Sequence, residues 1–521
     1  MNDITPQPPL VEQVEAPSKS LRPAATMIYP LQYLRAFAAF SVVLCHASYY
    51  VGEFRGDNRM WAIFDRFGGF GVALFFAISG YLMAQLAETT GALRFLVHRL
   101  IRIYPIFWLC VAVVVAINLV FGKVIRPDLF ALLLVPGMTR AYLLGVEWTL
   151  PFELTFYLIV FALIAVRLKR QIPIIAVAWI AIIELFYAIR PGLQQGQFPL
   201  LMHVPFSLFS LPFAMGLLVP YLLRKRLVGP ATPLIGVAAI IAYEALVPLS
   251  VGLSSASMGL GCTLLVATAV KAGSDTTRPP NRSLLALGDW SYALYLCHVP
   301  IIMAFCRFMP VSAGPMQIWF AAIGLPLVVA AVAGKIDLAM YRRLKSWVDR
   351  SGVIVKGTLC GAFLVCMLGT SAFAYVRAIQ QRSITNNLTP LGSRITALMG
   401  GDESKLTSAA QQAGLQPSDA LKGHLDGVYS VPKEVRVQGW ALDMQASEEP
   451  VRIMVFHCGV YTGPVFPTDS RPDVAASLHI GDERSGFNTS VPANTQCAST
   501  QVDALVLGAN GRYAILTGTS H

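Results

Sequence analysis

The chain has 521 residues, 55% of them hydrophobic and only 13% charged, with a mean hydropathy of +0.59. That combination excludes an ordinary soluble domain and points to a polytopic membrane protein. The formal net charge of +11 does not argue for nucleic acid. From His424 onward ten acidic residues outnumber six basic ones, so the preceding chain carries +15, mostly in short loops between apolar runs. Such placement orients a protein in a bilayer.

Residues 1–28 are polar and proline-containing, with Lys19 and Arg22 close to the first apolar run. They read as a flexible cytosolic tail, and the first span as an uncleaved targeting signal. Apolar runs of spanning length, roughly 17–25 residues, follow near 31–50, 67–87, 103–121, 150–166, 172–189, 200–223, 233–251, 253–271, 289–307, 316–341 and 353–376. Alternate loops carry Arg94/Arg99/Arg102, Arg167/Lys169/Arg170, Arg224/Lys225/Arg226, Lys271/Arg278/Arg282 and Arg342/Arg343/Lys345/Arg350. The intervening loops are nearly neutral or mixed. This alternation places the N-terminus in the cytosol, and an odd number of spans puts the C-terminal tail outside.

Residues 379–423 read as a polar linker with a short helix near 403–415. After it the periodicity changes: VRVQGWAL, VRIMVFHC and VDALVLGA are short, β-rich and partly alternating, with turn residues between them. The expected fold class is a polytopic α-helical membrane protein of about 11 transmembrane helices, with a C-terminal extracytoplasmic all-β, sandwich-like domain. Its expected divisions are 1–28, a membrane domain over 29–349, an additional helix at 350–378, the linker, and the β domain over 424–521. Seven of nine cysteines lie in or beside apolar spans without paired spacing, so no metal is expected. Cys458 and Cys497, alone in the tail, can pair in an oxidising compartment.

Candidate chemistry lies in the ionisable residues of the spans, which are costly in hydrocarbon and usually face a bundle interior. In YPLQYLRAFAAFSVVLCHASYY, eleven helical steps bring His46 within about 20° of the azimuth of Arg35 and ~16 Å further along the axis. The plain alternative makes Arg35 a snorkelling anchor and His46 a satisfied core residue. Arg99 and Arg102 stand at i,i+3 in FLVHRLIRIYP, a pair suited to phosphate, although membrane anchoring also accounts for them. Glu153, one turn into its span, stands at a depth where its carboxylate could orient the His46 imidazole for general-base chemistry. A structural hydrogen bond is its alternative. Glu147 reads as part of a solvated face. Ser79 and Gly80 more often serve close helix packing, and a lone His298 more often is a satisfied core residue.

These residues also carry a resemblance. Arg35 and His46 with ten residues between them, FFAISGYL, RLIRIYP, WTLPFELTFY and GDWSYALYLCH occur in the order found in the integral-membrane acyltransferase-3 family. The resemblance covers roughly residues 29–345. Bacterial members of that family add acetyl or other short acyl groups to surface and exported glycans. It implies His46 as catalytic histidine, Arg35 as its companion, and Arg99, Arg102 and Glu153 as functional polar positions. By the same resemblance Trp148, Tyr157, Ser79 and His298 are candidates to contact substrate. The implied donor is cytosolic acyl-CoA, acetyl-CoA foremost, bound by Arg35, Arg99 and Arg102. One departure is KIDLAMY, where Asp337 replaces the family's usual Glu and no Pro follows. The tail lacks a Gly-Asp-Ser esterase motif; its GWALD, RPDVA and SGF stretches faintly resemble β domains of glycan-processing enzymes.

The reading is thus an inner-membrane O-acyltransferase acting on a hydroxyl of a glycan or lipid-linked oligosaccharide, among membrane lipids, with homo-oligomerisation left open. Its rivals are a transporter or flippase for a lipid-linked glycan, whose path the same polar residues would line, and a membrane-anchored glycan-binding protein acting through its tail.

Overall fold

The computed structural model describes residues 28–121, 129–136, 142–189, 200–275, 279–310, 313–431, 434–445, 451–467, 469–471, 474, 477–478, 484–492, 502–508 and 511–518. The N-terminal tail, Cys497 and three residues of RPDVA lie outside them. In chain order the helices are α1 (Tyr29–Arg55), α2 (Trp61–Thr89), α3 (Ala92–Val120), α4 (Leu129–Leu132), α5 (Thr149–Ala165), α6 (Ile172–Ile189) and α7 (Leu211–Gly216). They continue as α8 (Val219–Arg224), α9 (Thr232–Leu246), α10 (Val251–Asp275), α11 (Arg282–Phe308), α12 (Pro315–Arg350), α13 (Val353–Met399) and α14 (Leu406–Gln412).

Among the described residues eight helices are long and apolar enough to cross a membrane: α1, α2, α3, Lys169–Ile189, α10, α11, α12 and α13 up to Val376. Thr149–Ala165, Leu208–Arg224 and Thr232–Leu246 are shorter apolar segments. These eleven correspond to the eleven runs read from sequence. The run at 200–223 differs in form, being broken into single turns at Val204–Phe206 and Leu208–Ser210 and then α7 and α8. Pro205, Pro212 and Pro220 each remove an amide donor there, which is what interrupts the ladder.

The described residues fall into two compact units. The first is drawn from Met1–Glu88, Lys169–Ala181 and Leu211–Ala339, and α1 is its axis. Pro30 sits in the first turn of α1, where a missing amide costs nothing, and Gly56 closes it in the left-handed conformation with its N–H on Gly52 O at 2.8 Å. One flank of α1 buries Ala38 with Ala73, Leu74, Ala77, Cys262 and Val266 of α2 and α10. The other buries Ala39, Val43 and Ala47 with Leu294, Ile302, Trp319 and Ala322 of α11 and α12. Small side chains on both flanks let backbones approach closely, the usual source of helix association in lipid.

The contact with α11 is the tightest of these. A Cβ on Gly288 would lie 2.4 Å from the Gln32 carbonyl oxygen, so only glycine fits. Register is pinned at both ends: the Asn281 N–H donates to Tyr33 Oη at 2.7 Å, and Arg55 Nη2 donates to the carbonyls of Cys306 and Met309 at 3.2 and 2.7 Å. The two helices therefore run parallel.

The second unit is drawn from Thr89–Leu168, Ile182–Ser210 and Met340–His521. It holds α3, α5, α13 and a β domain with nine strands among the described residues: β1 (Gln416–Pro417), β2 (Leu421–Val431), β3 (Glu434–Asp443), β4 (Arg452–His457), β5 (Val460–Val465), β6 (Asp469–Ser470), β7 (Arg484–Pro492), β8 (Val502–Leu507) and β9 (Arg512–Gly518). The order is β5-β4-β8-β9-β2-β3-β7-β6, with β1 beside β9. Strand β9 pairs antiparallel with β8 and then parallel with β2. The sheet folds over there, and Ile453, Val455 and Val506 of one half meet Val435, Val437 and Phe487 of the other. A two-residue turn with Cys458 and Gly459 both at positive φ, 51° and 72°, joins β4 to β5. Cys458 is disulfide-bonded. Of the tail stretches singled out above, GWALD ends on Asp443, which Arg512 pairs at 2.6 Å, and SGF buries Phe487.

The residues read as a linker are helical as far as Met399, then form a turn at Glu403–Lys405 and α14. At 47 residues, α13 is ~70 Å long against a hydrocarbon core of ~30 Å. Its far end is not a solvated spacer: Leu388, Ile395 and Met399 pack with Leu406 and Ala410 against Met454, Phe456, Leu505 and Tyr513 on the outer face of the sheet. Tyr461 fastens this joint, its N–H donating to Thr396 Oγ1 at 2.9 Å while its ring lies where a Cβ on Gly392 would stand, 2.4 Å away.

Two outcomes follow from this joint. Gly392→Val should overpack it and lower β-domain stability by about 1–3 kcal/mol, read as a lower unfolding midpoint of the purified full chain with the membrane part intact. Asp503 Oδ2 is buried without a hydrogen-bond partner, and burial raises its carboxyl above the ordinary carboxylate range. A carboxyl raised in the fold contributes stability below its unfolded pKa of about 4, and that contribution is lost as pH rises through the folded value. The β-domain melting midpoint of Asp503→Asn should therefore respond less than wild type to acidification from pH 7 to 4.

Candidate active site

His46 stands in the fifth turn of α1, half-buried, and His298 lies fully buried in α11. The parallel packing of these helices brings His298 Nε2 to 3.1 Å from His46 Nδ1, with ring centroids 5.0 Å apart. The main chain then fixes where the hydrogens sit. His298 Nδ1 lies 3.1 and 2.8 Å from the carbonyl oxygens of Leu294 and Tyr295, which can only accept, so it carries hydrogen. His298 Nε2 is then the acceptor of a neutral ring. His46 Nδ1 lies 3.0 Å from Val42 O and likewise carries hydrogen, shared between Val42 O and His298 Nε2. The remaining nitrogen, His46 Nε2, keeps its lone pair and has no partner among the described residues. Such an arrangement can take a proton at one defined atom, and the imidazolium so formed keeps two acceptors on its Nδ1–H.

Arg35 lies on the same unbroken helix, eleven residues before His46 and ~16 Å along its axis. Its Nη1 donates to Gln32 Oε1 at 3.2 Å. Ser79 in α2 is buried, and its Oγ has no hydrogen-bond partner. Asp337 is buried in α12.

The second unit assembles the other candidates. The Arg99 guanidinium lies 5.9 Å from the centroid of the Tyr157 ring, and the Tyr157 hydroxyl donates to the Glu153 carboxylate. Glu153 and Tyr157 are one turn apart on α5, so cation, ring and carboxylate form one chain across α3 and α5. Arg99 Nε is buried without a hydrogen-bond partner, an unused donor of the kind an anion would satisfy. Arg102 lies over Tyr341 at 5.5 Å. A guanidinium held against a ring face gains about 0.5–2 kcal/mol depending on desolvation. Trp148, half-buried at the start of α5, meets Phe152 and Phe209 edge-on.

Glu147 is a correction to the sequence reading: it is 1% exposed. Its two oxygens accept the N–H groups of Leu144 at 2.8 Å and Val146 at 3.0 Å, so the carboxylate closes its own loop rather than facing solvent. Sequence reasoning also missed the partners. The ring at hydrogen-bond distance from His46 is His298, read above as a satisfied core residue or a substrate contact; GDWSYALYLCH held that signal. Gln32 and Tyr341 carried no signal of their own. Among the described residues no group of three or more His, Cys, Asp or Glu side chains is placed to hold a metal ion.

Residues 28–335 match the family model described as an acyltransferase domain, Acyl_transf_3. The chain is 26% identical over 350 residues to acyltransferase MdmB of Streptomyces mycarofaciens, covering 60% of this chain and 88% of that protein. No solved structure matches.

The loop that starts α5 supplies a test independent of catalysis. Glu147→Gln replaces one acceptor oxygen with an amide donor facing a backbone N–H. The purified protein should lose about 1–3 kcal/mol of stability, read from its thermal midpoint, while Glu147 on a solvated face would predict no change.

Proposed function

The chain belongs to the acyltransferase-3 family and is an acyltransferase of a multi-pass membrane type; from that premise we propose that it transfers a short acyl group, acetyl foremost, from acyl-CoA to a hydroxyl of an exported or cell-surface glycan. The observation that carries this reading is the His46–His298 pair, which leaves one imidazole lone pair at a defined atom.

His46 Nε2 takes the proton of the acceptor hydroxyl as its oxygen bonds to the thioester carbonyl carbon. The tetrahedral adduct collapses with loss of the C–S bond, and His46 returns the proton to the departing thiolate. Acyl-CoA and alcohol thus become ester and CoA, with the imidazole neutral at start and finish. His298 acts as a positioning residue: it holds the Nδ1–H tautomer of His46 and accepts from it while the ring is charged. Arg35, Arg99 and Arg102 hold the phosphates of CoA, and the unpartnered Arg99 Nε supports that assignment. Glu153 and Tyr157 balance and steady Arg99, while Trp148 and Ser79 contact substrate. The alternating basic loops support a bacterial inner-membrane protein with a cytosolic N-terminus and an extracytoplasmic β domain, to which we assign glycan positioning.

The test is glycan acylation by purified full chain in liposomes supplied with acetyl-CoA, together with structural analysis of surface glycans from cells with and without the protein. His46→Ala should lower turnover by about 10²–10⁴-fold without loss of folded yield. His298→Ala should lower kcat by about 10- to 10³-fold, short of the loss that a wrong tautomer causes in a serine protease, and leave KM for acetyl-CoA unaltered. Arg99→Gln with Arg102→Gln should instead raise that KM at least tenfold, the size of one lost charge-assisted contact. Full activity of His46→Ala would refute this site, and a protein that neither binds nor slowly hydrolyses acetyl-CoA would favour a transporter.

A further inference from the structure

The first unit contains a cavity of about 390 Å³ that the reading above does not use. It lies where three stretches distant in sequence meet: the end of α2, the turn into α6, and the end of α8. Four charged residues line it, Glu88, Lys169, Arg170 and Arg224, and its apolar walls include Ile172 and Leu217. Glu88 Oε1 accepts from Arg224 Nη1 at 2.6 Å, and the Glu88 carbonyl accepts from Lys169 Nζ at 3.2 Å. One carboxylate therefore answers three cations, and the cavity keeps a formal charge of +2. Arg224 is held by the pair and Lys169 by a helix end, so two of the three cations are oriented before any ligand arrives.

Orientation in the bilayer explains why basic residues occur in these loops. It does not explain their convergence on one cavity with an apolar side. We propose that this cavity binds a phosphate ester with an apolar or heterocyclic extension, its phosphate between Lys169, Arg170 and Arg224. Two molecules offer that chemistry, the headgroup of an anionic phospholipid and the phosphate end of CoA. The phosphate would take the open donors of Lys169 and Arg170 and one edge of Arg224, while Glu88 keeps the other edge. The lipid source stands apart from the reading above; the CoA source rests on acyl-CoA as the donor and would be a second phosphate contact, distinct from the arginines named there.

The experiment uses the full chain, purified in nanodiscs of phosphatidylcholine. Two measurements are made: retention of added phosphatidylglycerol by native mass spectrometry, and equilibrium binding of CoA against dephospho-CoA. Two variants are compared with wild type. Lys169→Gln with Arg170→Gln removes charge, and Ala84→Phe narrows the cavity, which Ala84 also lines, without touching charge; Leu217→Phe replaces the latter should it fail to fold. Loss of phosphatidylglycerol retention by at least tenfold in both variants supports a lipid headgroup. Loss of CoA binding by at least tenfold in both, with dephospho-CoA less affected, supports the CoA phosphate. If neither ligand responds to both variants, including the case where only the charge variant responds, the cavity is not a phosphate site and the proposal falls.

Discussion

The first unit depends on how closely α11 can approach α1. That approach is set by Gly288, whose absent Cβ leaves room for the Gln32 carbonyl, and by the row Ala39, Val43 and Ala47 against Leu294 and Ile302. In lipid no hydrophobic gain separates helix–helix from helix–lipid contact, so association rests on close packing and on the few polar bonds between helices. Tyr33 at one end and Arg55 at the other supply those bonds and set the register. A slip of one turn, ~5.4 Å, would carry His298 out of reach of His46.

The backbone alone sets the orientation of the two imidazoles. Each imidazole is turned toward carbonyls three or four residues earlier in its own helix. Those carbonyls are acceptors whatever the pH, so the tautomers follow from helix geometry rather than from a buried carboxylate. A carboxylate beside His46 would hold the imidazolium more strongly but would itself be a charge in a low-dielectric interior. A second neutral imidazole offers a lone pair without that desolvation cost.

The second unit keeps its charges in a different manner. Arg99 is set against an aromatic ring, and the ring's hydroxyl is tied to Glu153. Charge there runs along a chain of three groups. The same unit carries the β domain on the far end of α13, where apolar packing at Leu388, Ile395 and Met399 joins helix and sheet into one core.

Much of this was legible in the residues. Apolar run length and the alternation of basic loops gave eleven apolar segments; among the described residues eight are helices of spanning length and three are shorter, the run at 200–223 being broken into short pieces. The change to period-two patterning gave a β domain, and Arg35, His46 and the ordered motifs gave the family. Composition and periodicity determine these because they act along one element at a time. What the chain alone could not give was contact between elements: the pairing of His46 with His298, the burial of Glu147 on its own loop amides, the reach of α13 into the residues read as a linker, and the meeting of Lys169, Arg170 and Arg224 around one cavity. Each depends on the azimuth and register at which separate segments pack. Those are fixed by a missing Cβ here and a capped carbonyl there, summed over the whole fold, and no local pattern reports that sum.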